Sequence, residues 1–447
     1  MIQKKSKNQS EREPEFSVTY AFAQAATLGR ELPPGELVHL NRIEWGDRHF
    51  ILDQSARLGP VFKALEWDEF CVCIVGLKEC ARFLQDHDTD ITPITMGLES
   101  LFSKGFLRQM GGDDHQHYRE ALVRAIGSTT ATFNSGILET ITAEQLAHYA
   151  AIPENSANQR DTFIQTLRAI SSGMLIQLFF GARYGSAPFK KLTESYKKLG
   201  PNGLVWDIEK PQVQAYAEIR DQLVERIAEQ EKPSAEWLPQ SIMGAICEHG
   251  TLDETILGNL IYMVEMGRFD MYSLFRWLTK FAAENPALVD RLAFECKEPS
   301  KNGKSLAEAF VMETLRLEQI ERLGRRVNRD IIFGNYLIPK HATVRLCLWE
   351  SHKSPKSFAE PFVFNPERFI EKAYTSDQYA PFGLGKHRCP LSNIAIKMST
   401  LFLSTLVANY SLEPIANGPP IRGVYHWEPA WKFAPRLKKR KVTETSS

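Results

Sequence analysis

The chain has 447 residues, 43% of them hydrophobic and 24% charged, which is enough to bury a large core. Fifty-four basic and 54 acidic residues cancel, which excludes the global positive field of a nucleic-acid binder. No run reaches the roughly eighteen uninterrupted apolar residues of a bilayer span, and the polar stretch Met1 to Glu15 lacks a signal-peptide core, so a cytoplasmic protein without a membrane anchor is expected.

In chain order, residues 1–30 are expected to form a flexible segment. Pro33-Pro34-Gly35 then leads into a helix, short strands around Val61 to Leu65 and Phe70 to Val75, and another helix from Gly76. Helical periodicity dominates from about 113 to 295, including one long helix from about Asp253 to Glu284 that would extend about 48 Å at a rise of 1.5 Å per residue. Strands return between Arg326 and Leu348, with Gly334-Asn335 as a turn. The pattern is α+β, mainly helical, with a small β region on the N-terminal side and no repeats. It reads as one domain over 31–435, followed by a polar, basic, solvated tail over 436–447. The seven cysteines are scattered, without zinc or disulfide spacing, and Cys71 and Cys73 read as packing residues of a strand.

The most informative stretch is Tyr379-Ala-Pro-Phe-Gly-Leu-Gly-Lys-His-Arg-Cys389-Pro, followed by an apolar run from Ile394 to Leu406 at helical spacing. A cysteine between basic residues and a helix start is placed where its thiolate is stabilised and can ligate a metal. Phe382, Gly383, Gly385, His387 and Cys389 resemble the heme-binding loop of the cytochrome P-450 superfamily, with Leu391 where the pattern ends in glycine.

The resemblance spans roughly Leu32 to Glu428. It implies a single-domain triangular fold of the soluble bacterial type, with heme b (iron protoporphyrin IX) between a distal helix and the proximal cysteine loop. It makes Cys389 the iron ligand and the loop glycines the points of close backbone approach. His387, with His115 and Arg119 in Asp113-Asp-His-Gln-His-Tyr-Arg, would face the heme propionates. Arg325 would join them, although Arg326 beside it competes for the role. Glu313 and Arg316, three apart on a helix, would form a buried network with Arg368 that supports the loop.

The distal helix departs from the family. In place of Ala/Gly-Gly-x-Asp/Glu-Thr it reads Met266-Gly267-Arg268-Phe269-Asp270-Met271-Tyr272-Ser273. Counting back from Trp277 and Pro286 without gaps puts Gly267 on the glycine, Phe269 on the acid and Asp270 on the threonine; a shift by one puts Asp270 on the acid and Met271 on the alcohol. Gly267, Phe269 and Asp270 are therefore the catalytic candidates, and the threonine is missing in either register. Three readings stay open: Asp270 as a proton donor made weakly acidic by an apolar setting, Asp270 as anchor for a cationic substrate, or a reaction without dioxygen activation. Arg268 is expected to face solvent, with pairing to Glu265 or Asp270 as one alternative and, by resemblance to peroxide-using relatives whose arginine holds a fatty-acid carboxylate in a different register, a peroxygenase role as another.

The function implied is a monooxygenase acting on a small organic substrate in secondary metabolism. It would be a monomer supplied with electrons by a separate ferredoxin or flavodoxin and its reductase. A peroxide-using peroxygenase or heme-thiolate isomerase/lyase is the alternative. Met96, Leu98, Leu101, Phe102, Phe106 and Leu107 fall in the family's variable loop over the heme and would line a pocket or pack.

Overall fold

The computed structural model describes residues 14–44, 46–94, 98, 101, 105–131, 135–153, 158–201, 205, 208–229, 234–250, 252–297, 305–318, 323–423 and 427–440. The N-terminal part runs α1 (Pro14–Leu28), α2 (Leu40–Ile43), α3 (Phe50–Leu58), β1 (Val61–Glu66), β2 (Glu69–Val75), α4 (Leu77–Asp86) and β3 (Ile91–Pro93). The helical part follows with α5 (Gly112–Ala131), α6 (Ser135–Ala150), α7 (Gln159–Phe180), α8 (Ala187–Leu199), α9 (Lys210–Ala228), α10 (Ile242–Glu248), α11 (Glu254–Glu284), α12 (Pro286–Lys297) and α13 (Leu306–Leu317). Strands β4 (Leu323–Val327), β5 (Ile331–Phe333), β6 (Tyr336–Ile338) and β7 (Thr343–Cys347) come next, then α14 (Leu348–Ser351), α15 (Glu367–Glu371) and α16 (Ser392–Asn409). The chain closes with β8 (Tyr410–Ala416), β9 (Ile421–Arg422), β10 (Trp427–Glu428) and β11 (Ala434–Lys439).

The principal sheet has the order β1-β2-β7-β4-β3. Its β2–β7 pair is parallel and the others antiparallel, so segments about 270 residues apart in sequence become neighbours. Cys71 and Cys73 point to one face of β2 and pack with Cys347, Phe62 and Ile51, as the alternation predicts.

Helix α11 crosses the core. Asp253 caps it by accepting a hydrogen bond from Ile256 N at 2.7 Å. Against it lies α7, among the described residues the one helix long and apolar enough to cross a membrane; 78% of its apolar window is buried inside the protein, so it is accounted for as a core helix.

Two expected boundaries move. Residues 14–28, placed by sequence in a flexible segment, form α1, held to β2 where Ser17 Oγ accepts from Phe70 N at 3.0 Å and where Ala21 is fully buried. Arg436, Lys438 and Lys439, placed in a solvated tail, belong to β11, which pairs with β8; Lys438 Nζ also meets Glu413 at 2.7 Å. In both cases the stabilising partner is remote in sequence. Lys441, Met96 and Phe102 lie outside the described residues.

A buried charge cluster ties the N-terminal elements to the sheet. Arg345 on β7 reaches Glu44 after α2 at 2.6 Å, Glu66 on β1 at 3.5 Å and Glu350 on α14 at 3.4 Å, while Arg422 on β9 reaches Glu44 at 3.3 Å. All five side chains are close to fully enclosed. Replacing Arg345 by Met should leave three crowded carboxylates and cost about 3–5 kcal/mol, read as a lower urea midpoint; an unchanged midpoint would show that the cluster does not hold the sheet.

Candidate active site

The loop before α16 is built by short-range geometry. Gly383 and Gly385 take φ of +85° and +67°, a region that a side chain would strain, and Cys389 N closes the turn by donating to Phe382 O at 2.9 Å. Gly385–His387 form one 3-10 turn, and α16 starts three residues after Cys389, so its N-terminal dipole favours a thiolate there. Leu391, the departure from the motif, sits just before α16 and packs partly into the core. The Cys389 side chain is half-buried, as is Phe382.

Several expected partners converge on this loop. His115 and Arg119 lie one turn apart on α5; His115 is 3% exposed, and its ring lies 4.4 Å from that of His387, centroid to centroid. Arg119 Nη2 donates to Arg388 O at 2.8 Å. The negative charge at Cys389 acts on Arg119, so the guanidinium in turn favours the thiolate. Strand alternation decides between the two arginines. Arg325 points inward, is 4% exposed and lies near enough to His387 to act on its charge, whereas Arg326 points to the other face and pairs with Glu69 at 2.6 Å.

Burial, then the charges of Arg119 and Lys386, holds the His115 imidazole below its ordinary range. Burial pushes His387 down to about 3, with His115, Arg325 and Lys386 adding to the effect. The buried ring nitrogens His115 Nε2 and His387 Nδ1 have no hydrogen-bond partner in the protein. Unpartnered buried ring nitrogens beside an inward guanidinium are suited to a negatively charged acceptor, and this set fits the carboxylates of a heme.

The Glu-Arg-Arg network forms as expected. Glu313, fully buried, receives Arg316 Nε at 2.7 Å, Arg316 Nη2 at 2.9 Å, Arg368 Nε at 3.2 Å and the backbone N–H of Asn365 at 2.9 Å. Arg316 Nη1 donates onward to His352 O and Pro361 O, and Arg368 Nη1 to Ala359 O. Sequence reasoning missed His352, which no motif marks. Its Nδ1 lies 2.6 Å from Leu348 O and its Nε2 accepts from Ala380 N at 2.9 Å, so it grips the first residues of the cysteine loop as a neutral ring. Tyr379 OH adds a bond to Met312 O at 2.9 Å.

On the distal side, α11 is buried at every residue from Thr255 to Ala283 except Met266, Gly267, Phe269 and Asp270; of these, Asp270 alone is exposed and the others are half-buried. Met266 and Asp270, four apart, share one stripe with Asn259, whose Oδ1 accepts from Leu107 N at 2.7 Å. Beside that stripe, Tyr262 packs on Phe106 at 4.3 Å. Leu98, Leu101, Phe106 and Leu107 are buried core residues.

One expectation, for Arg268, is corrected here, and the surroundings of Gly267 and Asp270 become visible. Gly267 does not share the Asp270 stripe: a Cβ on it would lie 3.3 Å from Leu175 Cδ1, so it admits α7 against α11. Arg268 does not face solvent. It is 7% exposed, pairs with Glu265 at 2.7 Å and donates to Gly200 O at 3.0 Å, while its carbonyl accepts from Ser171 Oγ at 2.9 Å. Of the three open readings of Asp270, the proton donor in an apolar enclosure loses support, since that side chain is exposed. One turn on, the Ser273 hydroxyl is fully buried and has no hydrogen-bond partner.

Comparison with known proteins agrees with this geometry. The family model described as Cytochrome P450 matches residues 304–424, which carry the network and the cysteine loop. An ent-kaurenoic acid oxidase of Oryza sativa subsp. japonica is 24% identical over 88% of this chain and 86% of its own length. An abscisic acid 8'-hydroxylase of Arabidopsis thaliana is 24% identical over 81% and 80%. Among solved structures, the retinoic acid-bound cyanobacterial CYP120A1 superposes with a TM-score of 0.70 at 19% identity, covering 92% of this chain and all of that one. A zebrafish cytochrome P450 with progesterone gives 0.68 at 18%, covering 88% of this chain and all of that one.

Two outcomes follow from the site. His352 is neutral and enclosed, its pKa lowered to about 3 chiefly by burial, whereas an unfolded histidine takes a proton near 6.5. Its contribution to stability is therefore complete above pH 6.5 and declines by roughly 1.4 kcal/mol per pH unit as the pH falls from there toward 3. Urea unfolding at pH 7 and pH 5 should show wild type losing about 2 kcal/mol more than His352→Gln, which keeps one donor and one acceptor; equal losses would contradict this. His115→Phe and His387→Phe should fold normally yet release heme to an excess of scavenging apoprotein about tenfold faster or more, because each lost charge-assisted bond is worth about 1.5–3 kcal/mol.

Proposed function

Because the chain belongs to the cytochrome P-450 superfamily, we propose that it is a heme-thiolate monooxygenase acting on a small organic substrate of secondary metabolism. In this reading it works as a cytoplasmic monomer, supplied with electrons by a separate ferredoxin or flavodoxin and its reductase. Bound heme b supplies the oxygen chemistry, with Cys389 as the proximal ligand. The chain's own part is to hold that thiolate ionised through the α16 dipole and Arg119, to seat the cofactor's carboxylates on His115, His387 and Arg325, and to shape the distal side. The observation that carries this reading is the convergence of Cys389, the two unpartnered histidine nitrogens and inward Arg325 on one loop.

Asp270 is assigned to the substrate. It is the one exposed residue in the middle of a buried helix, on the stripe with Met266 and next to half-buried Phe269. A carboxylate so placed can take a charge-assisted hydrogen bond from a protonated nitrogen of the ligand, with Phe269 and Met266 contributing apolar contact. One observation favours the second reading, a peroxygenase or an isomerase/lyase: the nearest hydroxyl on this stripe belongs to Ser273 and is fully buried. Arg268 lends that reading nothing, because Glu265 and the Gly200 carbonyl already engage it.

Ferric holoprotein titrated with amines and their neutral isosteres should show low-spin to high-spin shifts at lower concentrations of the amines, and Asp270→Asn should lose that preference while keeping heme. Equal response to both ligand classes in wild type and variant would remove the anchoring role. With a responsive amine in hand, product formation should need dioxygen, a reductase and its electron carrier; product from peroxide alone at a comparable rate would replace the monooxygenase reading with the second one.

A further inference from the structure

Asn259 is a fully buried amide on α11, flanked by Ile256, Leu257, Leu260 and Ile261, where a leucine would pack without desolvating a polar group. Its two hydrogen bonds give it a task. Nδ2 donates to Thr255 O at 2.8 Å, one turn back, and Oδ1 accepts from Leu107 N at 2.7 Å. One partner accepts and the other donates, so the orientation of the amide is fixed. Leu107 belongs to a tight turn, which Gly105 enters at a φ of +76° and which the N–H groups of Gln109 and Met110 close by donating to Phe106 O at 2.8 and 3.2 Å. The Phe106 ring packs on that of Tyr262 at 4.3 Å. The turn is thus fastened to α11 twice, at positions three residues apart.

Three turns of helix separate Asn259 from Asp270. At about 100° per residue, positions 259, 266 and 270 fall within an arc of about 40° and form one line along the helix. The near end of that line is covered: Asn259 is fully buried, and Tyr262 and Met263 beside it are buried too. The line opens at half-buried Met266 and is exposed at Asp270. The turn at 105–110 therefore closes one end of the open stripe. From Met263, where the cover ends, to Asp270 the helix advances about 10 Å at a rise of 1.5 Å per residue.

We propose that Asn259 is a positioning residue for ligand length. By holding the turn at 105–110 on α11 it sets an end wall about 10 Å from the Asp270 carboxylate, and the ligand that fits is an amine carrying an apolar body about that long. The protonated nitrogen meets Asp270, the body lies along Met266, and its far end stops at Met263 and Tyr262, which the turn covers. This inference rests on the anchoring role of Asp270 and adds a limit that the carboxylate cannot impose, since a charge fixes one end of a ligand and leaves the other free. Leucine in place of Asn259 fills a similar volume but leaves the buried Leu107 N–H without its acceptor, so the turn shifts to find another.

The test is a spin-state titration of the ferric holoprotein with straight-chain primary amines of increasing length, each beside the neutral alcohol of the same length. In wild type, affinity for the amines should rise about fourfold per methylene until the extended chain reaches about 10 Å, then stop rising or fall. Asn259→Leu should abolish that break. Asn259→Asp, which as a neutral acid keeps one donor and one acceptor, should retain it. Phe106→Ala, which leaves room for the Tyr262 ring to withdraw, should move the break to longer amines and tests the wall without touching the amide. All three variants keep Asp270, so each should still prefer amines over alcohols. A merely structural role for Asn259 would lower the urea midpoint of Asn259→Leu and leave the break in place, and heme content identifies any variant that fails to fold. An amine preference with no break at any length, or a break unchanged in Asn259→Leu or in Phe106→Ala, would overturn this inference alone. Equal affinity for amines and alcohols at every length would overturn the anchoring role of Asp270 and this inference with it.

Discussion

The Glu313 carboxylate holds the proximal half of this protein together. Two oxygens with no access to water are satisfied by two guanidinium groups and one backbone N–H, Arg316 from the same helix and Asn365 and Arg368 from one segment about fifty residues on. An unpaired carboxylate there would be strongly unfavourable, so the segments that supply the donors have to arrive. Arg316 extends the same constraint to the carbonyls of His352 and Pro361, His352 in turn takes the N–H of Ala380, and Tyr379 ties back to α13. The position of Cys389 is thus set from a buried charge through a short series of hydrogen bonds, leaving the two loop glycines to make the final turn.

The distal half rests on a different principle. Helix α11 is fixed by burial along nearly its whole length, and one stripe near its middle is released to face outward. Because successive residues step by about 100° around the axis, neighbouring side chains meet different surroundings. Gly267 admits α7, Arg268 closes against Glu265 and the end of α8, and Met266 and Asp270 are left on the open stripe. The same geometry separates the two carboxylates of this region. Glu265 is consumed structurally, its own pKa raised by burial against the pull of Arg268, whereas Asp270 lies exposed on the open stripe.

Legibility in the sequence followed the range of the interactions. The cysteine loop, the one-turn pairs His115/Arg119 and Glu313/Arg316, and the strand alternation at Cys71/Cys73 depend on neighbours a few residues away, and all were readable. Arg325 and Arg326 could be separated only once β4 was placed between β3 and β7, because alternation assigns opposite faces without saying which face looks inward. The Glu265 partner of Arg268 stood among the local alternatives, but the burial of Arg268 was not readable, because the Gly200 carbonyl that it also reaches lies 68 residues upstream. Helix α1 and strand β11 escaped for the same reason, being held by Phe70 and by β8. The Arg345 cluster gathers residues 44, 66, 345, 350 and 422, a set that no local pattern joins.

The central claim is that Cys389, presented by this loop, ligates a heme iron as a thiolate. The absorption spectrum of the reduced, carbon monoxide-bound protein tests it most directly, because electron donation from thiolate sulfur moves the main heme band far to the red of its position with a nitrogen ligand. Wild type should show the red-shifted band, and Cys389→Ser should lose it at whatever heme content it retains. A wild-type band at the position given by nitrogen ligation, or a red-shifted band that survives in Cys389→Ser, would contradict the account.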